Sequence, residues 1–143
     1  MLKFFIVNFV PIMGSAVGPR VLATLWYSPL LFASIAKRGE PEDAKAPEEA
    51  KAVDKRWALR MLLTFAADIS ISLVLLHVIL LNGMYGVKSG ANLGFVVGLG
   101  LVAAPMLATY IHEKRSLRLF MANSTYWILA LTISSAFMAR RIL

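Results

Sequence analysis

Four long runs of apolar residues organise the chain, and polar segments separate them. The runs cover residues 4–28, 59–81, 91–111 and 117–138. Each is close to the length of about 20 residues that an α-helix needs to cross the hydrocarbon core of a bilayer. The pattern therefore predicts an all-α, integral membrane bundle of four transmembrane helices that forms a single domain over residues 1–143.

The first apolar run contains Gly18 and Pro19, followed directly by Arg20. Proline has no backbone N–H and its ring clashes with the preceding turn, so we expect a kink near Gly18-Pro19. The carbonyl that proline frees needs another partner in lipid, and a neighbouring helix or Arg20 is expected to supply it. Gly14-Ser15-Ala16 is similar to a signal-peptide cleavage site, but the apolar run continues beyond it, so we expect an uncut span.

The segment 36–56 is the only long hydrophilic stretch, and it carries charges of both signs. It is interpreted either as a solvated linker or as a docking loop for a partner. Basic residues concentrate on its side of the bundle: Lys37, Arg38, Lys45, Lys51, Lys55, Arg56, Arg60, Lys114, Arg115 and Arg118. Fewer lie on the other side: Lys3, Lys88, Arg140 and Arg141. The positive-inside rule then places the loop in the cytoplasm, or in the matrix of a mitochondrial inner membrane, with both termini on the less basic side.

Composition supports a membrane protein. Hydrophobic residues make up 59% of the chain and charged residues 16%, against about 45–50% and about 25% in soluble domains. The net charge of +7 does not indicate nucleic acid binding, because the basic residues flank apolar runs and no soluble domain remains to carry a basic face. Cysteine is absent, which excludes disulfides and cysteine-based metal or redox sites.

Two opposite charges, Arg20 and Asp68, lie inside consecutive apolar runs. A charge at mid-bilayer is costly, so such residues usually face the bundle interior and find a partner. Asp68 lies about 12 Å along a helix axis from Arg60, and Arg20 about 10 Å from Tyr27. The two charges are level if Tyr27 lies in the interfacial aromatic belt. If the helix instead runs straight on to the charged loop, Arg20 is level with His77.

This pair is interpreted either as a structural ion pair that fixes helix register or as a proton or ligand site. Polar residues that would support it are Thr64, Ser72, Tyr27, His77 and Asn123. Thr64 and Ser72 share one helix face with Asp68, whereas His77 is half a turn out of phase. No metal site is expected, because the chain has only two histidines.

Four glycines recur at every fourth position: Gly86, Gly90, Gly94 and Gly98. Small residues at this spacing let helix backbones approach closely in lipid. The stripe predicts either packing inside the bundle or a homodimer seam. The fourth run is polar for a membrane helix, with hydroxyl and amide side chains that can hydrogen-bond across helices: Asn123, Ser124, Thr125, Thr132, Ser134 and Ser135.

Several short blocks resemble the small membrane family called domain of unknown function 1761. They are Val7-Asn8, Trp26-Tyr27-Ser28-Pro29-Leu30-Leu31-Phe32, Gly94-Phe95-Val96, Glu113-Lys114-Arg115, Ala122-Asn123 and Tyr126-Trp127. The resemblance implies a multi-pass helical membrane protein, argues against signal cleavage, and provides no catalytic residues. The chain departs from the family pattern at Pro19-Arg20 and in its long charged loop.

No catalytic motif is present. No serine lies in Gly-x-Ser-x-Gly, and no Gly-Lys-Ser/Thr follows the glycines. We therefore expect a non-enzymatic protein without cofactors, in contact with the lipid bilayer and with protein partners or a second copy. The first hypothesis is a structural or accessory subunit of a larger, for example bioenergetic, membrane complex. The alternative is a small transporter, or a lipid- or small-molecule-binding protein, that uses the polar interior around Arg20 and Asp68.

Overall fold

A computed structural model describes residues 2–28 and 57–142 of the chain. The helices are α1 (Leu2–Trp26), α2 (Trp57–Asn82), α3 (Val87–Val97), α4 (Ala104–His112) and α5 (Leu117–Arg141). A π-helical segment, Gly98–Ala103, joins α3 to α4 without a break, so that Val87–His112 forms one rod, the third span. The described part of the chain contains no strand. The predicted all-α bundle of four rods is confirmed, and the charged loop 36–56 lies outside the described residues.

Three of the four rods are long and apolar enough to cross a membrane: Ile6–Trp26, Ala58–Asn82 and Val87–His112. The protein itself buries only 28%, 28% and 22% of their most apolar windows. The remaining apolar surface cannot be satisfied in water, because soluble proteins rarely expose apolar patches of this extent. These helices support the prediction of an integral membrane protein.

Helix α5 is the most polar rod and lies at the centre of the bundle. It packs against α1, α2, the third span and α4. Ser124, Ser134 and Ser135 are all buried along it, beside apolar residues such as Leu131 and Met138. The polar side chains of α5 therefore meet other helices, where they find hydrogen-bond partners that lipid does not offer.

The apolar core fills the half of the bundle nearest the chain termini. It consists of Ile12, Leu75, Leu76, Ile79, Leu131, Met138, Ala139 and Ile142. Ile79 and Met138 are completely inaccessible. The Arg20–Asp68 pair and the Tyr27 side chain lie outside this apolar core, towards the end of the bundle where α1 ends and α2 begins.

The glycine stripe packs inside the bundle. A Cβ on Gly90 would lie 2.6 Å from the Cβ of Ala139, and a Cβ on Gly98 would lie 2.9 Å from the Cα of Ile128. Gly94 faces α5 in the same way. Of the two alternatives for the stripe, the structure shows packing inside the bundle. At these three glycines α5 comes into close contact with the third span.

Gly86 does not belong to this seam. It precedes α3 with a φ of 96° and donates its N–H to the Ala139 carbonyl at 3.0 Å. With Gly83, whose φ is 59°, it forms the turn after α2. Both residues adopt the left-handed region, which glycine enters without steric cost. The prediction that Gly86 is part of the helical packing stripe is therefore wrong. The helix starts one residue after it, and Gly86 lies in the preceding turn.

Helix α1 runs unbroken from Leu2 to Trp26 although it contains Pro11 and Pro19. The kink near Gly18-Pro19 remains a prediction. The π-helical segment was not predicted, although the sequence carries two signals for it. Gly98 and Gly100 have low helix propensity, and Pro105 lacks the N–H that would bond the Leu101 carbonyl. The Ala104 N–H accordingly donates to the Leu99 carbonyl, five residues back.

Candidate functional site

The Arg20 side chain of α1 and the Asp68 side chain of α2 form an ion pair. Arg20 Nε donates to Asp68 Oδ2 at 2.5 Å. The Asp68 side chain is 10% exposed and the Arg20 side chain 31%, so the carboxylate lies inside the bundle and the guanidinium lies at its edge. This contact shows that Arg20 lies level with Asp68. Of the two registers considered above, this is the one that expects Tyr27 near the membrane interface. His77 lies elsewhere on α2 and is exposed.

The rest of the Arg20 guanidinium extends towards the start of α2. Arg20 Nη1 lies 3.9 Å from the sulfur of Met61. Arg20 Nη2 is buried and has no hydrogen-bond acceptor among the described residues. The side chain thus points from a mid-helix position towards the loop end of the bundle, as long basic side chains do in membranes.

The hydroxyls beside Asp68 bond to the helix backbone and not to its carboxylate. Thr64 Oγ1 donates to the carbonyls of Arg60 and Met61, at 2.7 and 3.0 Å. Ser72 Oγ donates to the Asp68 carbonyl at 2.9 Å. The sequence analysis placed Thr64 and Ser72 on the same helix face as Asp68, but a shared face does not determine which group a hydroxyl bonds. Serine and threonine in helices commonly bond the backbone carbonyl one turn back.

A second polar group lies at the loop end of the bundle. Tyr27 OH donates to Asn123 Oδ1 at 2.5 Å, and Asn123 Nδ2 donates to Tyr110 OH at 2.6 Å. The Arg115 guanidinium lies 5.4 Å from the Tyr110 ring centroid, in the geometry of a cation–π contact. This chain of contacts joins the end of α1 to α5 and α4.

Two side chains of α5 donate hydrogen bonds to backbone carbonyls of α1 near Pro19. Ser134 Oγ donates to the Ser15 carbonyl at 3.0 Å, and Tyr126 OH donates to the Pro19 carbonyl at 2.8 Å. Trp26 Nε1 makes a similar contact in the opposite direction, with the Ala122 carbonyl at 3.1 Å. The Tyr126 ring also packs against Tyr27, with centroids 5.6 Å apart.

Of these groups, the sequence analysis missed Tyr126. A signal for it existed, because a tyrosine in a membrane helix needs an acceptor for its hydroxyl. The sequence could not specify which donor of α5 meets which carbonyl, since that depends on the crossing of the two helices.

The ion pair and hydrogen bonds described above connect the four rods of the bundle to one another. Every contact named above joins a side chain to another side chain or to a backbone carbonyl, and most cross between helices. Within residues 2–28 and 57–142, no group of three or more His, Cys, Asp or Glu side chains is placed to hold a metal ion. The contacts that the structure shows in the site are an ion pair and hydrogen bonds in a low-dielectric interior.

Comparison with known protein families identifies the family of this chain. The family described as "Protein of unknown function (DUF1761)" matches residues 10–139. The chain belongs to this family. The matched range, residues 10–139, includes α2 as well as most of the two ends that carry the resemblance noted above. No curated protein and no solved structure matches this DUF1761 chain significantly.

Proposed function

We propose that this DUF1761 protein is a non-enzymatic integral membrane protein that serves as a structural or accessory subunit of a larger membrane complex. The observation that carries the proposal is the use of its intramembrane polar groups. Arg20 and Asp68 pair with each other, and Ser134 and Tyr126 bond the backbone beside Pro19. Groups engaged in this way hold helices together and are not displayed to a substrate.

The outer surface supports the same proposal. Large apolar side chains are exposed on every apolar rod, for example Val10 on α1, Leu62 on α2 and Leu101 on the third span. Such surfaces suit a bilayer and, equally, neighbouring transmembrane helices, because helix association in lipid depends on packing. The charged loop 36–56 adds a hydrophilic segment of mixed charge that suits protein docking.

Purification tests this proposal. The tagged protein, extracted from its native membrane in a mild detergent, is expected to co-migrate with a stoichiometric partner in size-exclusion chromatography, and mass spectrometry identifies that partner. A matched variant keeps the loop length but replaces its Glu, Asp, Lys and Arg residues by Gln or Asn. We expect it to lose the partner while the bundle keeps its thermal stability.

The accessory role is contradicted by one result, and the docking function of the loop by another. The first is a protein that elutes alone from two different mild detergents, with no partner and no self-association. The other is a neutralised loop variant that retains the complex as well as the wild type does, which removes the loop as the docking element and leaves only the lipid-facing helices for that role.

A second candidate, a transporter or small-molecule-binding protein, rests on one specific observation. Arg20 Nη2 is a buried cationic donor without an acceptor among the described residues, and an anionic ligand would supply one. Under this candidate, Asp68→Asn changes ligand binding or transport while the protein stays folded. Under the structural proposal, the same substitution lowers thermal stability and has no separate effect on ligand.

A further inference from the structure

An apolar groove of about 440 Å³ lies between α2 and the third span, with α5 as its floor. Its lining includes Val74 from α2, Val97 and Val102 from the third span, and Trp127 and Leu131 from α5. The one hydroxyl in the lining, on Ser70, donates to the Ala66 carbonyl of its own helix at 2.8 Å. The surface of the groove is almost wholly apolar.

The groove exists because α2 packs on α1 and α5 while the third span packs on α5 along the glycine seam. On the third span, the lining residues Val97 and Val102 lie just before and within the π-helical segment Gly98–Ala103. Such segments occur frequently at functional sites in helices. Val74 at the rim is 62% exposed, so the groove opens sideways on the bundle surface.

Depth limits what can occupy the groove. Its lining residues lie near the middle of α2, of the third span and of α5. In a bilayer this is the midplane, about 15 Å from either edge of the hydrocarbon core. An open apolar groove there is filled, because an empty one loses the contacts of its lining atoms. The groups present at that depth are the ends of lipid acyl chains.

Both ends of the bundle carry basic residues, among them Lys88 and Arg141 at the end opposite Arg60. The helix face that Arg60 shares with the groove therefore indicates the end at which a lipid headgroup would lie. Arg60 precedes the lining residue Ile71 by about three helical turns, so both lie on one face of α2, roughly 16 Å apart along the axis. Lys114 and Arg118 are exposed at the same end of the bundle. A phospholipid whose chain ends in the groove would have its headgroup at this basic end, where an anionic phosphate is favoured.

We infer that the groove between α2 and the third span is a binding site for one acyl chain of an anionic phospholipid, with its headgroup at the end of the bundle that carries Arg60. The site is separate from the Arg20–Asp68 pair, which lies between α1 and α2 and does not line the groove. It does not depend on the accessory role proposed above.

Trp127 provides the probe. The chain has three tryptophans, and a reporter variant carrying Trp26→Phe and Trp57→Phe keeps only the one that lines the groove. The reporter is reconstituted in vesicles that contain brominated-chain phosphatidylglycerol or brominated-chain phosphatidylcholine, whose bromine atoms quench tryptophan on contact. We expect the anionic lipid to quench Trp127 at a lower mole fraction, with about a five-fold preference, the effect expected of one basic side chain near a charged headgroup.

Two matched pairs of variants test the chain and the headgroup separately. Val74→Phe places a ring in the groove and is expected to reduce the quenching about two-fold, since a packed apolar space has no room for both. Val96→Phe adds the same volume at a position that is 57% exposed outside the lining and leaves quenching unchanged. Arg60→Gln removes the preference for phosphatidylglycerol, whereas Lys88→Gln, at the other end of the bundle, retains it.

Equal quenching by the two lipids overturns the headgroup assignment, and quenching that Val74→Phe does not reduce overturns the chain assignment. Absence of quenching, together with a dimer in detergent, assigns the groove to a second copy and also overturns the inference. If the reporter variant does not fold, native mass spectrometry of the otherwise wild-type chain replaces it. That measurement must find phosphatidylglycerol retained over phosphatidylcholine, and less of it with Val74→Phe than with Val96→Phe.

Discussion

Ser134 Oγ of α5 donates a hydrogen bond to the Ser15 carbonyl of α1 at 3.0 Å. In a regular helix that carbonyl would accept the N–H of the residue four positions later, which here is Pro19. Proline has no N–H, so the Ser15 carbonyl would be left unpaired in the interior. The serine of the neighbouring helix therefore supplies the donor that the proline removes, and α1 continues through Pro19 to Trp26.

Ser134→Ala is expected to lower the free energy of unfolding by about 1 kcal/mol, the size of an interhelical hydrogen bond in a membrane protein. Ser135→Ala is the matched control, because the neighbouring Ser135 Oγ is equally buried but has no hydrogen-bond partner among the described residues. Its removal is expected to be neutral or slightly stabilising. Unfolding titrations with SDS in mixed micelles measure both. Equal losses for the two variants would show that the Ser15 contact contributes nothing.

Pro19→Ala should make Ser134 dispensable. Alanine restores the N–H that bonds the Ser15 carbonyl within α1, so Ser134→Ala in this background is expected to cost clearly less than in the wild type. A double-mutant cycle of the two substitutions reports the difference as a coupling free energy. A coupling of zero would contradict the assignment of Ser134 as the replacement donor.

The Arg20–Asp68 pair should behave as a coupled unit. Arg20→Gln and Asp68→Asn are each expected to lower the unfolding free energy by about 2 kcal/mol, less than for a fully buried pair because Arg20 is 31% exposed. The double variant is expected to lose less than the sum, since no unpaired charge remains. Arg118→Gln, which removes an exposed cation, serves as the control and should change stability by less than about 0.5 kcal/mol. Additive losses would contradict direct pairing.

The glycine seam predicts different outcomes for two glycines of the third span. A Cβ on Gly94 would lie 2.6 Å from the Thr132 Cα, and this backbone cannot move aside cheaply. Gly94→Ala is therefore expected to cost about 2 kcal/mol through overpacking. Gly100→Ala meets nothing within 4 Å and should be tolerated. Thermal unfolding followed by far-ultraviolet circular dichroism compares the two, and a stable Gly94→Ala variant would place the seam outside the bundle.

Much of this fold could be predicted from the sequence, because apolar run length and composition determine which segments form membrane helices. The partners of individual polar groups could not. Thr64 and Ser72 share a face with Asp68, yet they bond their own backbone. Gly86 fits the glycine spacing but forms a turn. Both depend on local backbone geometry and helix crossing, which periodicity does not encode. The need of the Ser15 carbonyl for an outside donor was predictable, whereas the identity of that donor, Ser134, required the packed structure.

Asn123 links Tyr27 to Tyr110, because its Oδ1 accepts from the Tyr27 hydroxyl and its Nδ2 donates to the Tyr110 hydroxyl. Asn123→Leu removes both hydrogen bonds and is expected to lower the unfolding free energy by about 1 kcal/mol, since each bond contributes modestly. Tyr27→Phe should lower it in the wild type and have little further effect in the Asn123→Leu background. Thr109→Val is the control, because among the described residues the Thr109 hydroxyl bonds the Pro105 carbonyl of its own helix and no group of another helix. A Tyr27→Phe effect that is the same in both backgrounds would show that the Tyr27 hydroxyl stabilises the protein through another group, and that the loop end of α1 is not fastened to α5 through Asn123.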